Sequence, residues 1–325
     1  MPDFQSMTNF KLKWKIKSMG KVKDKLALFR KYKENLELLS EDPFYRSSNL
    51  QKMVTQDIVF CPLCFRSFTE AQVLRRDAGD HLTIDHIPPK SLGGTVQILT
   101  CFECNNTASQ FDRELQFFTH KPDSGIISMR TKLKVGDLRF GATTIYDVAK
   151  KDFTFLLSSE ADLLKFIKSQ NGKAFDVEIK DKSKGVGVNL LKMAYLLAFN
   201  KLGYGIILHP QYNLIRRQVK EPYAKVLGHN GIFIFNVSES MPDGVFIVTE
   251  PSEFVSLLVR FPVKFKNGSI RRYSVFLPSP LGDVVTFYNA LRTVPKDVRF
   301  SFTKVFDVDY WNNPEYILAP IRDLL

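Results

Sequence analysis

The chain has 325 residues, 44% of them apolar and 25% charged, which is enough to bury a core and long enough for two or three domains. Its longest apolar stretches, such as Met193–Phe199, fall far short of the roughly 20 residues a membrane-spanning helix needs, so a helical membrane protein is excluded and a globular protein is expected. The 46 Lys and Arg exceed the 34 Asp and Glu, and the net charge of +12 favours an anionic partner, nucleic acid first and an acidic membrane surface second.

The opening Met1-Pro-Asp-Phe-Gln-Ser lacks the basic-then-apolar order of a secretory leader. The expectation is therefore a cytoplasmic protein with no membrane partner, a compartment in which disulfides are rare. Between Phe10 and Lys33 stand ten Lys or Arg and one acid, Asp24. The strict alternation Phe10-Lys-Leu-Lys-Trp-Lys-Ile-Lys17 reads as a strand or extended arm. From Lys21 the spacing of Val22, Leu26, Phe29, Leu36 and Leu39 turns helical, and Asp42-Pro43 should end the helix. Residues 1–57 thus form a basic arm and helix, whose basic face either meets phosphate or is simply solvated.

Residues 58–120 hold all four cysteines and read as a compact unit. An accessory α+β region over 121–222 follows, with helices near Ala161–Ser169 and Val188–Leu202 and a strand at Gly205–His209. The region 223–325 reads as a β-rich module, with strand-like runs Ile232–Val237, Gly244–Thr249 and Tyr273–Leu277 between turn signals. The fold class expected for the whole is α+β.

Cys61-Pro-Leu-Cys64 and Cys101-Phe-Glu-Cys104 are two CxxC knuckles separated by 36 residues. Two intervening residues let both thiolates of a knuckle face one ion, and four sulfurs select zinc in a closed tetrahedral site. A redox pair is the other reading of a CxxC, but two knuckles that use every cysteine of the chain favour structural zinc.

Between and after the knuckles run Leu82-Thr-Ile-Asp85-His86-Ile-Pro-Pro-Lys-Ser-Leu-Gly93-Gly94 and Leu99-Thr-Cys-Phe-Glu-Cys-Asn105. This string resembles the HNH (ββα-metal) endonucleases, in particular the endonuclease VII type and bacterial members whose fold is pinned by zinc on four cysteines. The resemblance covers Cys61 to about Arg113. It implies an HNH nuclease domain over 58–120, in which Ile84-Asp85-His86 ends a first strand and Gly93-Gly94 helps the turn. Val96–Leu99 would be the second strand, with a helix starting near Asn105. It further implies phosphodiester hydrolysis that leaves a 5′-phosphate, with DNA as the family's usual substrate and RNA as the alternative. His86 would be the general base, and Asp85 and Asn105 would hold one Mg²⁺ or Mn²⁺.

The chemistry accounts for those residue types. An imidazole, with an ordinary pKa of about 6.5, is neutral at pH 7 and can take a proton from water. Carboxylate and amide oxygens suit a hard cation that keeps several waters. Relatives often carry a further metal ligand on the helix; Asp112 is the candidate here, and a solvated helix Asp is the alternative. Taken alone, Asn105 would be a helix N-cap. His81 is expected to support the strand, and Lys90, Arg216-Arg217 and Arg271-Arg272 are candidate phosphate contacts. Leu190–Tyr204 is expected to pack as an apolar helix. Looser similarity to bacterial proteins suggests restriction or anti-phage defence, with a partner protein or a homodimer as candidate assemblies. The alternatives to an active enzyme are a zinc-stabilised nucleic-acid-binding module and a nuclease subunit silent without its partner.

Overall fold

The structure is a computed structural model that describes residues 4–43, 45, 55–75, 79–107, 126–147, 152–157, 159–170, 176–178, 183–227, 240–265, 268–280, 282–294, 298–305 and 310–311. It is an α+β protein. Among the described residues no helix is long and apolar enough to cross a membrane. The sequence run Ile232–Val237 lies outside the described residues.

A single helix, α1 (Phe4–Glu41), opens the chain, so the alternating segment Phe10–Lys17 is helical rather than extended. Alternation is a tertiary signal: it specifies a strand only where a neighbouring strand accepts it. Here Lys and Leu, both good helix formers, extend a helix anchored further along the chain. The anchor is the row Phe29, Tyr32, Leu36 and Leu39, all buried and spaced by three or four residues. The helix ends at Glu41, where Asp42-Pro43 stops it as expected.

Two short hairpins carry the cysteines and the Asp85 segment. In the first, β1 (Ile58–Phe60) pairs antiparallel with β2 (Ser67–Thr69), followed by the short helix α2 (Glu70–Leu74). In the second, β3 (Leu82–Ile87) pairs with β4 (Val96–Cys101), with Asp85 opposite Ile98 and His86 opposite Gln97. A helix, α3, then begins at residue 102 and is described to 107.

The loop of the second hairpin depends on Gly94. A Cβ added there would lie 1.4 Å from the Pro88 carbonyl oxygen, while the Gly94 N–H donates to the Pro89 carbonyl at 3.2 Å. Gly93 before it adopts a left-handed φ of 83°.

Antiparallel strands β5 (Ile126–Val135), β6 (Leu138–Asp147), β7 (Asp152–Leu157) and β8 (Asp176–Glu178) form a sheet in the order β7-β6-β5-β8. The helix α4 (Glu160–Gln170) covers it through Phe166, and the two share a small core with Leu133, Val135, Phe140 and Ala142.

The long helix α5 (Ser183–Leu202) is buried nearly all round, as a helix with no polar face must be. Two short helices follow, α6 (Tyr204–Ile207) and α7 (Tyr212–Lys220). The segment Gly205–His209 is therefore a helical turn and not a strand. Gly203, at φ 72°, ends α5, and the next four residues bury themselves at once against α1; burial in that corner outweighs the strand preference of Ile206 and Ile207. Asn35 of α1 stitches this corner, accepting from the Tyr204 N–H at 2.9 Å and donating to the Trp311 carbonyl at 2.7 Å.

The C-terminal sheet runs β11-β10-β9-β12, built from β9 (Gly244–Glu250), β10 (Ser256–Lys264), β11 (Ile270–Pro278) and β12 (Ser301–Lys304), with α8 (Val284–Thr293) packed on β11. Its strands match the expected runs at Gly244 and Tyr273. Helix α5 lies between this sheet and the β3–β4 hairpin, and one continuous apolar core joins α1, both hairpins, α5 and the C-terminal sheet.

Replacing Gly94 by Ala must displace the Pro88 carbonyl, a cost expected at the upper end of the roughly 1–3 kcal/mol seen for overpacking. Urea unfolding of Gly94→Ala against the parent chain measures it.

Candidate catalytic site and four-cysteine cluster

The sulfurs of Cys61, Cys64, Cys101 and Cys104 all lie within 4.8 Å of one another. Cys64 Sγ and Cys101 Sγ are 3.7 Å apart, and tetrahedral zinc with Zn–S bonds of about 2.3 Å holds its sulfurs about 3.8 Å apart. The four cysteines can therefore hold a metal ion such as zinc.

Local backbone geometry turns the thiols inward. After β1 the chain closes a tight loop in which the Phe65 N–H donates to the Cys61 carbonyl and the Cys61 N–H to the Arg66 carbonyl. This loop requires a left-handed φ of 56° at Phe65, whose ring is clamped beneath the Arg216 guanidinium at 3.7 Å. At the second knuckle the strand β4 ends on Cys101 and α3 starts on the next residue. The Cys104 N–H, otherwise an orphan of the first helical turn, lies 3.4 Å from Cys101 Sγ.

Four adjacent thiols cannot all ionise without a cation, and their acidities separate. Hydrogen bonding from Cys101 holds the Cys64 thiol far below its usual range. Cys104 and Cys61 bring Cys101 down to about 6, while burial pushes Cys61 up and the bond to Cys101 pushes Cys104 up. The Arg66 guanidinium, 3.1 Å from Cys101 Sγ and 2.9 Å from Glu103, sets a positive charge against the cluster.

The β3–β4 hairpin stands directly on this cluster, because Cys101 closes it opposite Leu82. Alternation along β3 puts Thr83, Asp85 and Ile87 on one face and Ile84 and His86 on the other. Asn105 is in the first turn of α3 and not at its N-cap, since the helix begins three residues earlier than expected. Its Nδ2 donates to Thr83 Oγ1 at 3.0 Å and to the Ile84 carbonyl at 3.4 Å, and Thr83 lies on the strand face that also bears Asp85. Asp85 and Asn105 thus share a side of the hairpin. His86 is half-buried and starts from the opposite face. Asp112 lies outside the described residues.

Asp85 is buried, and Lys192 from the middle of α5 meets it: Nζ is 2.8 Å from Oδ2, with both side chains about one-twentieth exposed. Lys192 is the Asp85 partner that the sequence reading missed. Its signal is a single charge inside the apolar run Leu190-Leu-Lys-Met-Ala-Tyr195. Asp85 and Asn105 carry oxygens, the donor type a hard divalent cation takes, and the Asp85 carboxylate is engaged by the Lys192 ammonium.

The remaining candidates separate by burial. His81 is buried, its ring tilted 4.9 Å from that of Phe102, and its carbonyl accepts the Phe102 N–H. Lys90 is exposed in the hairpin loop. Arg216 is not a phosphate contact: it is 5% exposed, and its guanidinium donates to the Ile207 carbonyl at 2.7 Å, to Tyr195 Oη and to Asn213. A guanidinium consumed by internal acceptors has little left for a ligand. Arg217 is exposed beside Glu221, and Arg271 and Arg272 are exposed on β11, the latter 3.3 Å from Asp243.

No protein-family description, curated protein or solved structure matches the chain.

Thiolates bind metal and thiols do not, so protons compete for the cluster. Cys101, held at about 6 by Cys104 and Cys61, is mostly a thiolate at neutral pH and takes up its proton as pH falls through that value. Metal release to a chromophoric chelator should therefore increase as the pH is lowered, and do so below that value, because the bound ion itself keeps the sulfur deprotonated. In Cys101→Ser it should already be extensive at neutral pH, with faster amide exchange across the β3–β4 hairpin.

Proposed function

We propose that this protein is a metal-dependent endonuclease of the HNH (ββα-metal) kind that hydrolyses phosphodiester bonds in DNA, on a scaffold held by zinc. The observation that carries the reading is the order of elements around one cluster. A hairpin bears Asp85-His86, a helix bears Asn105, and the four cysteines clamp their junction. Asn105 reaches back to Thr83 on the face that also bears Asp85.

Asp85 and Asn105 would hold Mg²⁺ or Mn²⁺, which when bound supplies positive charge to the phosphoryl oxygens and the departing alkoxide. His86 accepts the proton of the attacking water as general base, arriving from the other face at the end of the strand, where the chain leaves the ladder after Ile87. Burial of Asp85 lowers the local dielectric and strengthens its hold on any cation. The net charge of +12 draws in a polyanion.

The Lys192 ammonium on Asp85 favours a second reading, in which the chain keeps the fold and binds nucleic acid without cutting it. A cleavage assay on supercoiled plasmid with Mg²⁺, Mn²⁺ or EDTA separates the two. Metal-dependent nicking that falls by roughly 10²–10⁴ in His86→Ala, at unchanged zinc content, is the outcome expected of the nuclease. Plasmid bound and left intact by the zinc-loaded parent chain, alone and with the proteins encoded beside it, is the outcome expected of the binding module.

A further inference from the structure

A lysine in the middle of a largely buried helix needs an explanation beyond stability. Lys192 is flanked by the buried residues Leu190, Leu191, Met193 and Ala194, and its recorded polar partner is Asp85. Replacing a buried ion pair with apolar side chains of similar volume is often neutral or stabilising, whereas removing one partner alone is costly. Stability therefore does not account for placing a carboxylate and an ammonium here. Together they place a carboxylate inside the core with an ammonium 2.8 Å from it.

An ammonium carries three N–H donors, and Asp85 takes one. The same lysine lines a cavity of about 280 Å³ between α3, α5 and α7, whose wall also includes Asn189, Lys220 and, from α3, Glu103 and Thr107. The side chain has both an anchor and space beside it. Glu103 supplies a second carboxylate in the same lining, engaged by Arg66 at 2.9 Å.

We propose that Lys192 is an exchangeable cation at the Asp85 site: its ammonium occupies the position of the divalent metal, and metal binds Asp85 by displacing Nζ toward the adjoining cavity. This rests on the nuclease reading above, in that Asp85 is taken as the metal-binding carboxylate. Lys192 is accordingly a positioning residue. It holds Asp85 in place while no metal is bound, and it makes the metal site weaker than its donors alone would be.

The test is Mn²⁺ binding, read by the loss of the free-ion electron paramagnetic resonance signal, in the zinc-loaded full chain and its Lys192→Met, Lys192→Gln and Asp85→Asn variants. Lys192→Met leaves a buried carboxylate without its cation and can fail to fold; Lys192→Gln keeps an N–H donor for Asp85, and zinc content with amide exchange verifies the fold of each. Both Lys192 variants should bind Mn²⁺ about 10–100-fold more tightly than the parent chain, the size by which neighbours of a metal site shift its affinity. Asp85→Asn should lose binding. Equal or weaker binding in folded Lys192→Gln, with binding still lost in Asp85→Asn, would overturn the exchange and leave the nuclease reading intact. Binding undiminished in Asp85→Asn would overturn both, because the metal would then sit elsewhere.

Discussion

Two turns of chain separated by 36 residues bring four sulfurs within 4.8 Å of one another, and the geometry of the candidate site depends on that convergence. Neither hairpin is large enough to stand alone: β1 and β2 have three residues each, and two-stranded ribbons are marginal in water. The cluster ties the β1–β2 turn to the last residue of β4 and the first turn of α3. In doing so it sets the angle at which the helix leaves the hairpin. Asn105 follows the last cysteine directly, so its position relative to Thr83 and Asp85 is a consequence of where the sulfurs meet.

A second layer of support comes from far along the chain. Tyr32 of α1 presents its hydroxyl to the Leu99 N–H at 3.0 Å, packs edge-on against Phe199 of α5 and stacks on Trp311. Tyr195 of α5 donates to the Pro62 carbonyl at 2.6 Å, reaching the first knuckle. These hydroxyls are buried and hydrogen-bonded, as aromatic polar tips in a core must be. The small cysteine-bearing unit is therefore embedded in the core made by α1, α5 and the C-terminal sheet, and α5 supplies the cation that meets Asp85. Burial raises the Tyr32 phenol well above its ordinary value, so these contacts stay neutral across any working pH.

Much of the site was legible in the residues themselves, because its signals are local. A CxxC spacing is a statement about one turn, and Gly93-Gly94 about one loop. The β3–β4 strands fell on the expected runs, Val96–Cys101 extending two residues past the expected end because Thr100 and Cys101 pair with Thr83 and Leu82. Alternation in Phe10–Lys17 and the Ile-Ile pair after Gly205 misled for the same reason. Each is compatible with a strand or a helix, and only the presence or absence of a neighbouring strand decides between them.

What the sequence determined by itself was the chemistry within short reach: four thiols in two pairs, Asp85 beside His86, Asn105 after the last cysteine, and the net positive charge. Tertiary structure decided the partners. It put Lys192, 107 residues away, against the Asp85 carboxylate, turned Arg216 from a surface cation into an internal donor, and set His86 and Asp85 on opposite faces of a regular strand. The physical reason is that an ion pair carries no sequence spacing. A buried charge finds its counter-charge through the packing of whole elements, here α5 laid across the hairpin, and that packing is settled by apolar surface spread over the entire chain.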